Sequence, residues 1–221
     1  MKKSIFWMVL FVFCLEVRCV YGNHIAGNFQ WPLNLNQIWT TQGCDKIGYK
    51  EERELYFMEW YSKFGKYHAA DDWNGKCGGS SDKEAPLYAL ANGKVIWVDN
   101  RTAKDPIGKT VYVRYILPDG TEVDSAYYHV DSISVKQNDP VLKGKPIATI
   151  GDANGYYAGQ AHLHWEIRRD LTMSWRQNPY YNPLNVAIAL KYTSPSLFVD
   201  DRVKQYPIGL SQSAWTYFFV P

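Results

Sequence analysis

Several features that mark particular protein classes are scarce in this sequence. Its 221 residues carry a formal net charge of only +2, and no basic cluster is present, so we expect no nucleic-acid partner. Sustained heptads are missing, which argues against a long coiled-coil arm. The apolar run at residues 5–15 is too short to span a bilayer comfortably. Because no linker or low-complexity tract divides the chain, we expect one sizeable domain.

The first residues have the pattern of a targeting segment. Met1 is followed by two lysines, residues 5–15 form an apolar core of suitable length, and Val20 and Gly22 fit the small-residue preference of a cleavage site. We therefore expect a signal peptide at residues 1–22 and an exported mature protein with no stable membrane span. Retention as an uncleaved anchor is the alternative.

Cysteine is also scarce, with four in the whole chain. Cys14 and Cys19 fall in or near the segment expected to be removed, and Cys19 lacks the small residues that usually precede a lipidated cysteine. In an oxidising compartment the remaining pair, Cys44 and Cys77, is expected to form a disulfide. It would close a loop of roughly 34 residues and contribute roughly 3–4 kcal/mol on the chain-entropy model. No Cys-x-x-Cys spacing supports zinc ligation instead.

Aromatic residues and short alternating segments are abundant. Aromatics make up 16% of the chain, a content that favours strands. Turn residues separate the predicted strands, as at Asn92-Gly93 and residues 118–120. The predicted strands cover residues 87–91, 94–98, 110–117 and 122–130, a short pair within 141–150, and residues 161–169. Since helical periodicity is nearly absent, the sequence predicts an all-β or β-dominated domain.

The two ends of the chain are less regular. Residues 51–60 mix helix-forming residues with aromatics, so helix and strand both stay open there. From residue 171 onward, Asn-Pro and Ser-Pro breaks predict turns and short helices. Residues 85–96 faintly echo residues 139–147, since each segment has a proline-containing start followed by Gly-Lys, and this hints at an internal repeat.

Residues 161–169 are a strand with two different faces. Apolar residues alternate with polar ones in Ala-His-Leu-His-Trp-Glu-Ile-Arg-Arg, a period of two that predicts one apolar and one polar face. His162 and His164 therefore lie on the same side, one pleat apart, where they can serve one site. An exposed polar face that happens to hold two imidazoles is one interpretation, and a metal site is the other.

Two other segments supply further candidates. His68 and Asp72 are four residues apart, and from a helical turn or a bent strand both can reach one divalent ion. A polar surface loop is the alternative, and Asp71 is expected to point elsewhere. His129 lies near the end of a predicted strand. Two imidazoles and one carboxylate are a common protein share of a catalytic zinc site, which leaves two imidazoles to handle protons.

In this order the motifs resemble those of the lysostaphin-type, or LytM-type, zinc endopeptidases. That family is marked by His-x-x-x-Asp, a later lone histidine, and His-x-His. The corresponding residues are His68 with Asp72, His129, and His162 with His164. The resemblance covers about residues 67–169, and three ordered motifs are far more specific than a lone His-x-His.

The resemblance implies a mainly β single domain, an antiparallel barrel-sandwich with a duplicated hybrid motif, surface loops and short helices. It implies one zinc ion per chain, bound by His68, Asp72 and His164. His162 would be the base for a zinc-activated water, and His129 would stabilise the oxyanion. The implied activity is that of a secreted metalloendopeptidase, a monomer that cuts peptide cross-links of bacterial peptidoglycan in the periplasm, at the cell envelope or outside the cell.

The expected domain limits are a signal peptide at 1–22, an N-terminal lead-in packed on the domain at 23–66, a catalytic core at 67–170 and a C-terminal extension at 171–221. Three features depart from the family pattern. Ala70 stands where glycine is usual, Trp165 replaces phenylalanine, and the insert with Cys77 is atypical. None removes a ligand, so we expect activity, while the groove shape and preferred substrate stay open.

Two rival interpretations use the same residues. A catalytically silent cell-wall-binding or hydrolase-activating module of the same fold would be marked by lost metal ligands, and none is lost. An iron oxygenase or a cupin is the second rival. A cupin needs a glutamate four residues after His164, where Arg168 stands. An oxygenase triad begins with His-x-Asp or His-x-Glu, whereas three residues separate His68 from Asp72.

Overall fold

The computed structural model describes residues 26–41, 44–51, 57, 59–62, 66–169, 180–181, 192–196 and 198–199. The expected signal peptide lies outside the described residues. The strands are β1 (Ile38–Thr41), β2 (Cys44–Ile47), β3 (Tyr49–Glu51), β4 (Trp60–Tyr61), β5 (Lys66–His68), β6 (Asp71–Gly75), β7 (Pro86–Tyr88), β8 (Gly93–Asp99), β9 (Lys109–Ile116), β10 (Glu122–Val130), β11 (Pro140–Val141), β12 (Pro146–Thr149), β13 (Leu163–Arg168), β14 (Tyr180–Tyr181) and β15 (Tyr192–Thr193). The predicted β-dominated domain is confirmed.

An antiparallel sheet of eight strands includes the strands that carry Asp72, His129 and His164. Its order is β11-β8-β9-β10-β13-β6-β3, and β15 also pairs with β13. The strands predicted at residues 110–117 and 122–130 are confirmed as β9 and β10, which pair across a turn with Glu122 opposite Ile116. The strand predicted at residues 161–169 is β13. It is bordered by β10 on one side and by β6 on the other, so it lies inside the sheet.

Alternation along the strands gives this sheet two different faces. One face packs into the main hydrophobic core through fully buried residues such as Val113 and Trp165. The other face carries a smaller cluster of Tyr112, Ala126 and Tyr128. Every residue of β13 is buried, including the polar ones. An exposed polar face for this strand, one of the two interpretations of the sequence, is therefore wrong.

The faint internal repeat corresponds to a crosswise pairing of strands. From the first copy, β7 pairs with β12 and β8 pairs with β11, which both belong to the second copy. The predicted strands at residues 87–91 and 94–98 consequently do not pair with each other, although the Asn92-Gly93 turn separates them. The first forms a strand only over residues 86–88, and β8 pairs with β9. This exchange between copies is the duplicated arrangement expected of the barrel-sandwich fold.

Residues from both ends of the described chain pack on the central part. β3 forms an edge of the main sheet by pairing with β6. Phe29 and Phe198 are buried and meet edge to face, with ring centroids 5.4 Å apart. Cys44 and Cys77 form the predicted disulfide, with a Cα–Cα distance of 5.8 Å. The domain limits given above stay predictions.

The tail contains more strand than predicted. Only turns and short helices were expected after residue 171, whereas β14 pairs with β5 and β15 pairs with β13. Helical residues do occur at 195–196 and 198–199. Pairing with an open strand edge can override a weak local preference. Among the described residues, no helix combines the length and apolarity that a membrane crossing requires.

Candidate metal centre

The His-x-x-x-Asp motif lies on a bent strand, one of the two conformations predicted for it. β5 ends at His68, and β6 begins at Asp71. β5 belongs to the small sheet β14-β5-β4, where the His68 amide donates to the Glu59 carbonyl at 2.8 Å. β6 belongs to the main sheet. The bend therefore brings an imidazole from one sheet to a carboxylate, that of Asp72, on another.

His164 completes a cluster with these two residues. It is the cross-strand partner of Asp72 in the pairing of β13 with β6. Asp72 Oδ1 lies 2.9 Å from His164 Nδ1 and 3.3 Å from His68 Nε2. The two ring nitrogens are 3.0 Å apart. Three donor atoms, from residues as far as 96 positions apart in sequence, thus form a small triangle, and all three side chains are buried.

The triangle fits a zinc ion in chemistry and in size. A tetrahedral zinc ion with bonds of about 2.0–2.1 Å holds its ligand atoms roughly 3.3 Å apart. The edges of 2.9, 3.0 and 3.3 Å are close to that separation. Among the described residues, no group makes a well-aligned hydrogen bond to the buried Asp72 Oδ1. A buried carboxylate oxygen in that state is what a metal ligand requires.

The electrostatics of the cluster favour a charged carboxylate. Burial alone would raise the pKa of Asp72, but the imidazoles of His68, His164 and His162 outweigh it and hold the pKa of this carboxyl well below its usual range. Burial would lower the pKa of His164, yet Asp72 and Glu166 raise it to about 9. A metal ion would take the place of that proton on Nδ1.

A β-bulge directs His129 toward the same site. Between Tyr127 and Val130 the register of β10 against β9 shifts, and His129 takes a φ of 62°, a left-handed conformation that is rare for histidine. In an unbroken strand His129 would face away from its neighbour Tyr128. The bulge instead brings its ring to 4.8 Å from that of His162, measured between centroids.

Gly151 allows this arrangement at the backbone level. A Cβ atom built on it would lie 2.4 Å from the His129 carbonyl oxygen and 2.5 Å from the Asp131 nitrogen. The Gly151 carbonyl also accepts a hydrogen bond from the His162 amide at 3.2 Å. One glycine therefore contacts the backbone of both histidines, and a larger residue would separate them.

The two histidines outside the triangle are held in the same tautomer. His129 Nδ1 donates to the Ile107 carbonyl at 3.1 Å, and His162 Nδ1 donates to the Gln160 carbonyl at 2.8 Å. Each ring thus keeps Nε2 for chemistry, and His162 Nε2 lies 3.5 Å from Asp72 Oδ2. Burial, helped by His162 and His164 nearby, lowers the pKa of His129 well below its usual value.

The structure brings together all five residues named from the sequence and adds others that were not assigned a role. Half-buried Tyr157 lies beside both proton-handling candidates, its ring 4.8 Å from that of His129 and 5.0 Å from that of His162. Glu166 and Arg168 continue the polar face of β13 behind His164. Their period of two with the histidines was the available signal. For Tyr157, in a glycine-rich loop, no sequence signal existed.

Comparison with known proteins agrees with the motifs. The model of peptidase family M23 matches residues 78–180, a range that contains His129, His162 and His164 and begins after the first motif. Over 83 residues the chain is 31% identical to the lipoprotein NlpD of Yersinia enterocolitica, which covers 38% of this chain and 76% of that protein.

Two further similarities concern a second lipoprotein and a solved structure. The chain is 29% identical over 102 residues to the uncharacterized lipoprotein YgeR of Escherichia coli (strain K12), covering 46% of this chain and 37% of that one. The catalytic domain of the antimicrobial peptidase lysostaphin from Staphylococcus simulans is 21% identical, with a TM-score of 0.42 over 62% of this chain and 90% of that chain. On the family match and the extent of the match to NlpD, the chain belongs to peptidase family M23.

Proposed function

We propose that this chain is a zinc-dependent endopeptidase that hydrolyses peptide cross-links of bacterial peptidoglycan. The buried triangle of His68, Asp72 and His164 supports this most directly, because its donor set and spacing suit one zinc ion. Membership of peptidase family M23 supports peptide-bond hydrolysis. The resemblance of the ordered motifs to those of lysostaphin-type endopeptidases supports peptidoglycan as the substrate.

The residues around the triangle have complementary tasks in this proposal. Zinc held by His68, Asp72 and His164 would supply Lewis-acid polarisation of the scissile carbonyl and activation of water. His129 and His162 each donate Nδ1–H to a backbone carbonyl, so each can accept or give a proton only at Nε2. We assign His162 as the base and His129 as the residue that stabilises the oxyanion, as the family resemblance implies. Because the neutral His129 ring carries its proton on Nδ1, its Nε2 must gain a proton before it can donate to an oxyanion.

We also propose that the protein acts as a monomer outside the cytoplasm. The N-terminal pattern of residues 1–22 supports export. The two relatives compared above are named as lipoproteins, which supports a place in the cell envelope. The disulfide between Cys44 and Cys77 suits an oxidising compartment.

The decisive experiment is digestion of isolated peptidoglycan by the purified protein, with product masses to identify the bond that is cut. We expect about one equivalent of zinc per chain and activity that a chelator abolishes and zinc restores. His164→Ala should lose zinc and activity together. His129→Ala should keep zinc while kcat/KM falls about 10²–10³-fold, the usual cost of removing a group that stabilises an oxyanion.

Two results would contradict this assignment in different ways. A protein that binds zinc fully but releases no fragment from peptidoglycan or from any cross-link peptide would be a silent binding module of the same fold. A protein that cuts peptidoglycan equally well with and without zinc would disprove the role of the triangle. The two histidine assignments are tested separately by comparing the zinc content and kcat/KM of His162→Ala with those of His129→Ala.

A further inference from the structure

The polar face of β13 continues behind the candidate metal centre as a buried pair of charges. Glu166 and Arg168 are 0% and 1% exposed. Glu166 Oε1 lies 3.2 Å from His164 Nε2, the ring nitrogen that faces away from Asp72. Glu166 Oε2 accepts a hydrogen bond from Arg168 Nε. The carboxylate therefore bridges a candidate zinc ligand and a buried guanidinium.

Arg168 is fixed in turn by two tyrosines. Its Nη2 donates to the hydroxyl of Tyr128, which is hydrogen-bonded to the hydroxyl of Tyr112. The guanidinium carbon lies 5.0 Å from the centroid of the Tyr112 ring. Tyr128 is also the cross-strand partner of His164, and their rings meet edge to face at 5.2 Å. Contacts thus run from His164 through Glu166, Arg168 and Tyr128 back to His164.

This arrangement differs from an ordinary ion pair on the same sheet. Arg114 bonds Glu122, whose side chain is 39% exposed, and the buried Asp124, which is the cross-strand partner of Arg168, rather than a histidine. A fully buried pair carries a desolvation cost that often cancels its attraction, so stability alone is a weak reason for placing one here. Its position one hydrogen bond from a ligand suggests a role in holding that ligand.

We propose that Glu166 is a positioning residue for His164, with Arg168 and Tyr128 holding the carboxylate in place. By accepting the Nε2–H, Glu166 fixes the imidazole with its Nδ1 toward Asp72 and His68. A carboxylate behind a metal-binding histidine orients the ring and strengthens the ligand. This inference rests on the zinc site of the proposed function, and it concerns the ring nitrogen that would not bind the metal.

The test compares Glu166→Gln with wild type in the full chain. Glutamine keeps the shape, but it has one acceptor oxygen, so it cannot accept from both His164 and Arg168. We expect the zinc affinity, measured by competition with a chromogenic chelator, to fall about 10–100-fold. Glu122→Gln is the matched control, since it makes the same charge change on the same sheet without contacting the site. It should leave zinc affinity unchanged.

A second measurement reads the hydrogen bond itself and needs no metal. In zinc-free wild type, we expect the His164 Nε2–H proton to give a hydrogen-bonded, slowly exchanging NMR signal, which Glu166→Gln weakens or removes. A purely structural role would lower the melting temperature and leave zinc affinity per folded molecule unchanged.

The outcomes separate this inference from the proposed function. If wild type binds zinc and Glu166→Gln binds it equally well, the positioning role is wrong and the proposed function stands. If wild type binds no zinc, the proposed function fails. The NMR signal still decides the geometry, and a His164 ring without a protected Nε2–H in wild type overturns the inference even if the variant does not fold.

Discussion

Two adjacent aspartates on β6 have the same burial and opposite surroundings. Asp71 is 2% exposed and Asp72 is 3% exposed, and successive strand residues point to opposite faces of the sheet. Asp72 faces the histidines of the candidate metal centre. Asp71, opposite Trp165 in the pairing of β13 with β6, accepts hydrogen bonds from the Phe57 amide at 3.0 Å and from the amide and hydroxyl of Ser196.

The difference in surroundings shifts the pKa values of the two carboxyls in opposite directions. Burial raises the pKa of Asp71, and the hydrogen bonds from Ser196 and Phe57 offset this only in part. The imidazoles around Asp72 outweigh the same effect and lower its pKa. Burial alone therefore does not identify a metal ligand. The groups around each carboxylate distinguish the two roles, since imidazoles suit a cation site and backbone amides suit a structural anchor.

The largest expected effect is the loss of function in Asp72→Asn. A neutral amide is a poor zinc ligand, so the variant should bind no stoichiometric zinc and release no peptidoglycan fragments above the metal-free background. Metal content after dialysis and the digestion assay measure this. Asp71→Asn is the matched control, with the same change one residue away. If Asp71→Asn also loses zinc, the two faces of β6 do not have independent roles.

Zinc should raise the stability only of proteins that keep the Asp72 carboxylate. At a free zinc concentration about 100 times Kd, binding to the folded state adds about 2.7 kcal/mol. For a chain of this size, that raises the melting temperature by about 5–10 °C. We expect this shift in wild type and in Asp71→Asn, and none in Asp72→Asn. An equal shift in all three would mean that zinc binds elsewhere.

Asp71→Ala should reduce stability and spare the candidate metal centre. Removing the carboxylate leaves the Phe57 and Ser196 amides without their acceptor, and stranded buried donors cost about 2–3 kcal/mol in total. Urea unfolding of the zinc-free protein measures the change. Activity per folded molecule should stay near the wild-type value. An Asp71→Ala protein that is stable and inactive would reverse the roles assigned to the two carboxylates.

All five candidate residues named from the sequence lie together in the structure, whereas the strand pairing around them was predicted only in part. The candidate residues could be named because their three motifs occur in the order that marks the lysostaphin-type family, and β10 was predicted over its observed range because the turn at residues 118–120 precedes it. The opposite orientation of Asp71 and Asp72 follows from the alternation of side chains along a strand. These features depend on residues close in sequence, which a pattern can capture.

What escaped prediction depends on contacts between distant residues. β7 pairs with β12, and β8 pairs with β11 as well as with β9. The turn between β7 and β8 gave no sign that both strands pair with the second copy of the repeat. The bulge that re-aims His129 comes from a register shift against β9, which no residue in the sequence marks. Similarly, nothing near Asp71 in sequence indicates that Ser196, far along the chain, binds it.

The smallest expected effect comes from Ser196→Ala, which removes one hydroxyl from the Asp71 side. The Ser196 hydroxyl lies 2.6 Å from Asp71 Oδ2, while the amide bond to the same oxygen, at 2.9 Å, survives the substitution. We expect a loss of about 1 kcal/mol, seen as a melting temperature lower by about 2–4 °C.

Ser134→Ala is the control for that variant, because its hydroxyl bonds the Pro146 carbonyl on an exposed surface. Such a change should stay within about 0.5 kcal/mol. Zinc affinity should be unaltered in both variants, since the two hydroxyls donate to Asp71 and to the Pro146 carbonyl. If Ser196→Ala weakened zinc binding as much as stability, the hydrogen bonds from Ser196 to Asp71 would be coupled to Asp72 through β6. The two faces of this strand would then act as one unit.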